Sequence, residues 1–308
     1  MTSYMPEGWL IDTLENQMAL SSVANLNEAM KLGTTLEARA ILCDKEHNLH
    51  IDLISMQGII PRNEGAIGIE EGFIRDIALI SRVNKPVTFK IMRFEKNEFG
   101  TVAILSRRAV QVEAMKEYVS TLKCGDVIDA RVTHMEKFGA FVDIASGIPA
   151  LIPVDAISVS RIPHPSERFF TGEDIRAIVK SIDENGRITL THKELLGTWE
   201  QNVQDFSVGE TVPGIIRSIE NYGIFVELTP NLAGLAEYSP DVHQGQHAGV
   251  YIKSLIPEKM KIKLIIVDAF DAKYPPEPMT YFTNCEHIDS WIYSPENCEK
   301  LIQTVFSE

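Results

Sequence analysis

Shifting residues 136–153 forward by 84 positions lays EKFGAFVDIASGIPALIP onto ENYGIFVELTPNLAGLAE at 220–237 without a gap. A repeat at fixed spacing constrains the fold more than any local propensity, because the chain must then be an array of similar units, each closing its own core. The 308 residues leave room for more than two units of roughly 65–80 residues each.

The runs between breakers set the class of unit. Residues 9–32 hold helix formers with apolar positions at helical spacing and end at Gly33, which predicts a helical lead-in over 1–32. From Gly33 the pattern turns to short strands, with LHIDLI at 49–54, PVTFKIMRF at 86–94 and TVAILS at 101–106. A helix is expected over 109–122, then strands at 127–134, 139–145, 175–182 and 187–191. After a linking helix over 194–206, strands are expected at 211–219, 223–229, 249–256 and 260–267.

Units so dense in short strands need a closed barrel to hide their edges, and the oligonucleotide-binding (OB) barrel fits the size. The fold expected is mainly β. Three tandem five-stranded OB-fold barrels at 33–108, 122–194 and 208–270 are joined by short helices, and an α/β extension follows at 271–308.

Composition excludes several classes. The longest apolar runs, such as IKLIIV at 262–267, are too short to span a membrane, and the N-terminus has no secretory pattern, so a cytoplasmic protein is expected. Cys43, Cys124, Cys285 and Cys298 show no CxxC spacing; Cys285, His287 and Cys298 lack an evident fourth ligand. Reduced thiols, no metal and no cofactor are expected. With no phosphate-binding loop and no nucleophile motif, an enzyme or a small-molecule substrate is not expected. The net charge of −14 argues against a polycation that grips nucleic acid indiscriminately. The acidity is greatest in the tail, where residues 271–308 carry 2 basic and 7 acidic side chains. A local groove on an acidic protein can still be neutral or basic.

GDVIDARVTHMEKFGAFVDI followed by IDENGRITLTHKE resembles the S-one domain, the RNA-binding repeat first described in ribosomal small-subunit protein one. The likeness is clearest over 122–194 and good over 208–268; a degenerate copy at 33–108 is placed by LHIDLI and GIIP. The chain as a whole resembles a short bacterial protein one. What the resemblance implies is single-stranded RNA, mRNA included, as ligand, with the small ribosomal subunit as a further partner.

In the central copy Val142 and Ile144 have core parity, and Phe141 shares the outward parity of Asp143. Gly139 permits a bulge that brings Phe138 and Phe141 to one side, where both rings would stack on bases while Lys137 meets phosphate. The alternative is that both rings fill the barrel or cover a neighbouring domain. Asp183 and Arg187 flank an expected hairpin turn, and in the family the matching positions face the ligand; by residue type alone they are a surface turn pair. Pro153 stands where the family usually has a His. The insertion at 154–174 carries Arg161, His164 and Arg168, which either restore positive charge beside the groove or belong to a mere connector.

The third copy keeps Tyr222 and Phe225 at the stacking positions and has Lys261 and Lys263 for phosphate, but Glu237 would repel it. Weaker binding is expected there. In the first copy the ring positions become His47 and His50, as in a docking or structural module. Tyr274, Tyr281, Phe282, Trp291 and Tyr293 are expected to fold the tail back on the third barrel, with a short helix over 296–306. Two readings remain: a non-catalytic RNA-binding protein of translation, or an interaction scaffold whose barrels have lost most RNA affinity.

Overall fold

The computed structural model describes residues 4–97, 100–184, 186–274 and 279–306. Asn185 of the expected turn at 183–187 and the end of the tail at 307–308 therefore lie outside the described residues. The N-terminal lead-in is two helices rather than one, α1 (Leu14–Leu20) and α2 (Val23–Leu32). The break falls at Ser21 and Ser22. The Ser21 hydroxyl donates to the Met18 carbonyl, and the Ser22 hydroxyl accepts from the Asn25 N–H as a new N-cap, so both serines satisfy the backbone outside a continuous helix. Gly33, at φ +65°, ends α2 as expected.

The first barrel is built from β1 (Leu36–Cys43), β2 (Leu49–Asp52), β3 (Gln57–Ile60), β4 (Pro86–Asn97) and β5 (Gly100–Ser106), with the single turn α3 (Ile77–Ile80) between β3 and β4. The order β1-β2-β3-β5-β4 closes β1 on β4; only the β3–β5 pairing is parallel. Strand alternation sends Leu36, Ala38, Leu49, Ile51, Phe89 and Leu105 inward. The helix α4 (Arg107–Glu117) follows, capped by the Ser106 hydroxyl accepting from the Ala109 N–H.

The second barrel uses β6 (Val127–Glu136), β7 (Gly139–Ala145), β8 (Ile148–Pro153), β9 (Asp174–Ile182) and β10 (Ile188–Thr191), closed in the order β10-β8-β7-β6-β9. After α5 (Trp199–Val203), the third uses β11 (Thr211–Glu220), β12 (Gly223–Thr229), β13 (Leu232–Ala236), β14 (His247–Ile256) and β15 (Lys261–Phe270), in the order β11-β12-β13-β15-β14. The expected architecture of three closed five-stranded barrels is what forms. The tail departs from expectation: no helix forms among its described residues, and β16 (Ser290–Ile292) pairs antiparallel with β17 (Gln303–Val305).

Backbone contacts divide the chain into two compact units, the first being Met1–Leu122 with Asp129–Arg131 and Asp143–Pro149, the second the remainder. The first is organised by buried acids. The Glu37 carboxylate accepts from the backbone N–H of Gly8 (2.5 Å), Leu10 (2.8 Å) and Ile11 (2.7 Å), tying the N-terminal segment to β1. Glu7 accepts from Arg107 Nε (2.6 Å) and Arg82 Nη1 (3.1 Å), and its own N–H donates to Asp143 Oδ2 (2.8 Å). Asp143 is therefore only 2 % exposed. Its parity does point away from the barrel core, but the N-terminal segment covers it, which corrects the expectation of a polar outer position.

Burial pushes the Glu37 carboxyl up to about 7, against the opposing pull of its three N–H donors. An acid raised in the folded state keeps its proton while the unfolded chain releases it. Its contribution to stability is therefore largest in mild acid, falls as pH rises from about 4.5 to about 7, and is constant above. Hydrogen-exchange protection of the Leu10 and Ile11 amides, corrected for intrinsic rate, should be higher at pH 5 than at pH 8; equal protection would contradict this.

Candidate nucleic-acid interface

The hairpin between β6 and β7 turns on Lys137 and Phe138, both exposed, with Phe138 at 57 %. Phe141 is half-buried one step into β7, and the two rings meet edge to face with centroids 5.9 Å apart and planes at 88°. Gly139 makes this possible through room rather than through an unusual φ. A Cβ there would overlap the Ile152 carbonyl and lie 3.1 Å from Pro153 Cα. Gly139→Ala should cost the barrel about 1–3 kcal/mol by overpacking, read as a lowered denaturation midpoint; an unchanged midpoint would show that the strands are not so closely opposed.

A third ring joins them. His134 stacks on Phe141 at 6.2 Å and 21°, while its Nε2 meets Glu136 Oε1 at 2.7 Å. Sequence reasoning overlooked His134, although counting back from a two-residue turn puts 134 opposite 141. The signal was available.

The third barrel repeats the arrangement. Tyr222 is 70 % exposed, Phe225 half-buried, and their rings lie 6.1 Å apart at 88°. Register extends the face: Phe225 pairs with Ser218 on β11 and with Leu235 on β13, and Leu235 pairs with Lys263 on β15. Directly paired residues share a sheet face, so Lys263 belongs to the row of Phe225, about 10 Å away across two strand spacings. The adjacent row of Ile224, Ala236 and Leu264 is buried. Lys261, two residues earlier on β15, has the same parity and is also exposed. Glu237, at the end of β13, faces Lys253 Nζ at 3.8 Å.

In the second barrel, the position matching Lys263 is Thr189, which pairs with Leu151 and Ser181. An exposed cation, Arg187, stands just before β10 with the same parity as Thr189. Asp183 and Arg187 do form a turn pair, through the backbone: Arg187 N–H donates to Asp183 Oδ1 (2.8 Å) and Asp183 N–H to the Arg187 carbonyl (3.0 Å). The insertion, left open between a source of positive charge and a connector, places its three candidates differently. Arg161 is exposed, but His164 caps a short helical turn by accepting the Ser166 N–H on Nδ1. Arg168 is 3 % exposed and ion-paired with Glu227 at 2.5 Å, so its guanidinium is not offered to phosphate.

The first barrel lacks the rings. His50 occupies the row position, pairing with Ile59, and its Nε2 meets Asp44 Oδ2 at 3.2 Å; His47 faces Asp76 at 3.8 Å. Both imidazoles are partly buried and paired with carboxylates.

Closed five-stranded barrels of this connectivity, two of them bearing an edge-to-face ring pair at the β-hairpin, define a tandem OB-fold protein. Residues 121–193 match the family model described as S1 RNA binding domain, so this segment is an S1 domain. It is 31 % identical over 222 residues to the small ribosomal subunit protein bS1 of Staphylococcus aureus, covering 70 % of this chain and 54 % of that protein. It is 30 % identical over 224 residues to the bS1 homolog of Bacillus subtilis, covering 70 % and 55 %. The chain thus spans about half the length of these relatives. A multidomain protein with nucleic acid binding domains from Streptococcus pneumoniae aligns over 77 % of this chain and 74 % of its own, at 12 % identity and a TM-score of 0.24, a likeness too loose to carry an inference.

Proposed function

We propose that this chain is a non-catalytic single-stranded RNA-binding protein acting on mRNA in translation, with the small ribosomal subunit as a partner. The carrying observation is the same edge-to-face ring pair at Phe138/Phe141 and at Tyr222/Phe225, one ring exposed and one half-buried in each, on two barrels 84 residues apart. Stacking on an aromatic platform is worth about 1–3 kcal/mol per base and tolerates any sequence, which suits a reader of unstructured mRNA. Lys137 and Arg187 on the second barrel, and Lys261 and Lys263 on the third, take the phosphates, while Asp183 fixes the turn that carries Arg187. The relatives named as small-subunit ribosomal proteins support the setting. Among the described residues no helix is long and apolar enough to cross a membrane. The setting suggested by the ribosomal relatives places the protein in the cytoplasm.

Fluorescence-anisotropy titration of a labelled single-stranded RNA, and of the DNA of the same sequence, at two salt concentrations tests this. RNA should bind more tightly than DNA, since 2′-hydroxyl contacts distinguish the two. Lys261→Ala/Lys263→Ala should weaken binding and flatten the salt slope by up to about 1.4, two phosphate contacts at about 0.7 each. No RNA binding at moderate salt would refute the proposal.

A further inference from the structure

The second and third barrels are fastened to each other twice. The first fastening is the insertion between β8 and β9. Arg168 reaches Glu227 of β12, whose carboxylate also receives Arg217 Nε (2.9 Å) and Nη2 (2.9 Å), while Arg217 Nη1 meets Glu167 (2.8 Å). Beside this cluster the Val159 N–H donates to Asn231 Oδ1 (2.9 Å) and the Ser160 N–H to the Pro230 carbonyl (3.1 Å). The amide of Asn231 donates in turn to the carbonyls of Lys193 (2.7 Å) and Gly197 (3.0 Å). A charge cluster this buried adds little net stability, but breaking it is expensive, so it favours one arrangement of the parts over others.

The second fastening is the C-terminal segment. It first adds to the second barrel: the Val127 N–H donates to the Glu286 carbonyl (2.8 Å), Ile288 N–H to Gly125 (2.9 Å), and the Arg176 guanidinium to the carbonyls of Thr283 and Cys285 (2.8 Å each). It then crosses to the third. Trp291 and Tyr293 enter that barrel's core with Trp199, the Trp199 N–H donates to the Tyr293 carbonyl (3.0 Å), and the Tyr293 hydroxyl donates to the Asn231 carbonyl (2.5 Å). Asn231 is thus held by both fastenings.

We infer that the insertion and the C-terminal segment clamp these two barrels into one two-site reader, whose ligand is a single RNA strand long enough to lie on both ring pairs. This rests on the RNA-binding reading above. Two faces held at one separation bind a bridging strand with an effective concentration that independent barrels cannot match. Arg168, Arg176 and Asn231 are then positioning residues, touching no ligand.

The test uses the full chain and single-stranded oligouridylates of increasing length. Wild-type affinity should rise in one step of about 100-fold or more where the strand first reaches both faces. Arg168→Ala/Arg176→Ala/Asn231→Ala should keep the affinity for the shortest binding oligonucleotide and lose at least about tenfold of the step. A smooth rise in the wild type, or an intact step in the variant, overturns the clamp while leaving RNA binding in place. Failure of every length to bind removes the RNA reading and the clamp with it. Should the variant not fold, nitrogen-15 relaxation of the wild type decides: one rotational correlation time for both barrels supports the clamp, and two different times overturn it.

Discussion

Replacing Phe138 and Phe141 together by alanine should lower affinity for single-stranded RNA by about 30-fold or more, with little change in thermal stability. Two lost stacks at about 1–3 kcal/mol each set the lower bound near 2 kcal/mol. The fold is spared because the rings stand on the hairpin and not in the core, which is made by Val132, Val142, Ile144 and Ile152 beneath them. The loss should fall mainly on this barrel, which carries the third ring of His134; Tyr222→Ala/Phe225→Ala should cost less, since the position matching His134 there is Ser218. Isothermal titration of both double variants checks the ranking. A Phe138/Phe141 variant that binds like wild type would return these rings to the role of surface cover.

The largest stability effect is expected at Glu7. Glu7→Ala should destabilise the first unit by about 3–5 kcal/mol, the range for removing one partner of a buried ion pair. Arg107 is 3 % exposed and would lose the carboxylate that receives its Nε and Nη2, leaving the Gly65 carbonyl as its remaining acceptor among the bonds described. The Thr88 N–H would lose its bond at the same time. Burial alone would raise the Glu7 carboxyl; the guanidinium groups of Arg107 and Arg82 outweigh it and hold the group below its ordinary range. Its stabilisation is then present at neutral pH and lost as pH falls through the lowered value. Urea denaturation followed through Trp9, the tryptophan of this segment, measures the effect. A change under 1 kcal/mol would mean that water reaches Arg107.

What the sequence made legible follows from what the physics writes locally. Strands such as LHIDLI and RITLT alternate cleanly, and the ungapped shift of 84 carried the ring pair from one barrel to the next before any fold was known. The fifth strand was harder. IPALIP and LAGLA, which form β8 and β13, contain Pro, Gly and Ala and lack the β-branched alternation that marks a strand; the close approach to them is made by Gly139 of β7 and Gly223 of β12.

The burial of two acids was hidden for a different reason. Asp143 and Glu227 are equivalent under the shift, and their parity does point them off the barrel core. Both are buried nonetheless, Asp143 under the segment of Glu7 and Glu227 under Arg168 of the preceding insertion. Parity along a strand says which side faces the barrel and is silent on what another segment lays over the far side. The tail shows the same limit: ENCEKLIQTVF has helical spacing, yet packing of Trp291 and Tyr293 against Trp199 draws it into an antiparallel pair. Lys263 was legible as a cation of the third copy, but its place in the row of Phe225 comes only from register, since cross-strand neighbours are invisible along one strand.

RNA should lie on the two ring-bearing barrels. Ultraviolet cross-linking of the full chain to a uridine-rich single strand, with the linked residues identified by mass spectrometry, tests it most directly. Cross-links should concentrate on peptides carrying Phe138, Phe141, Tyr222 and Phe225, and be absent from the first barrel around His47 and His50. Cross-links confined to the first barrel or to the tail, or none at all, would contradict the account.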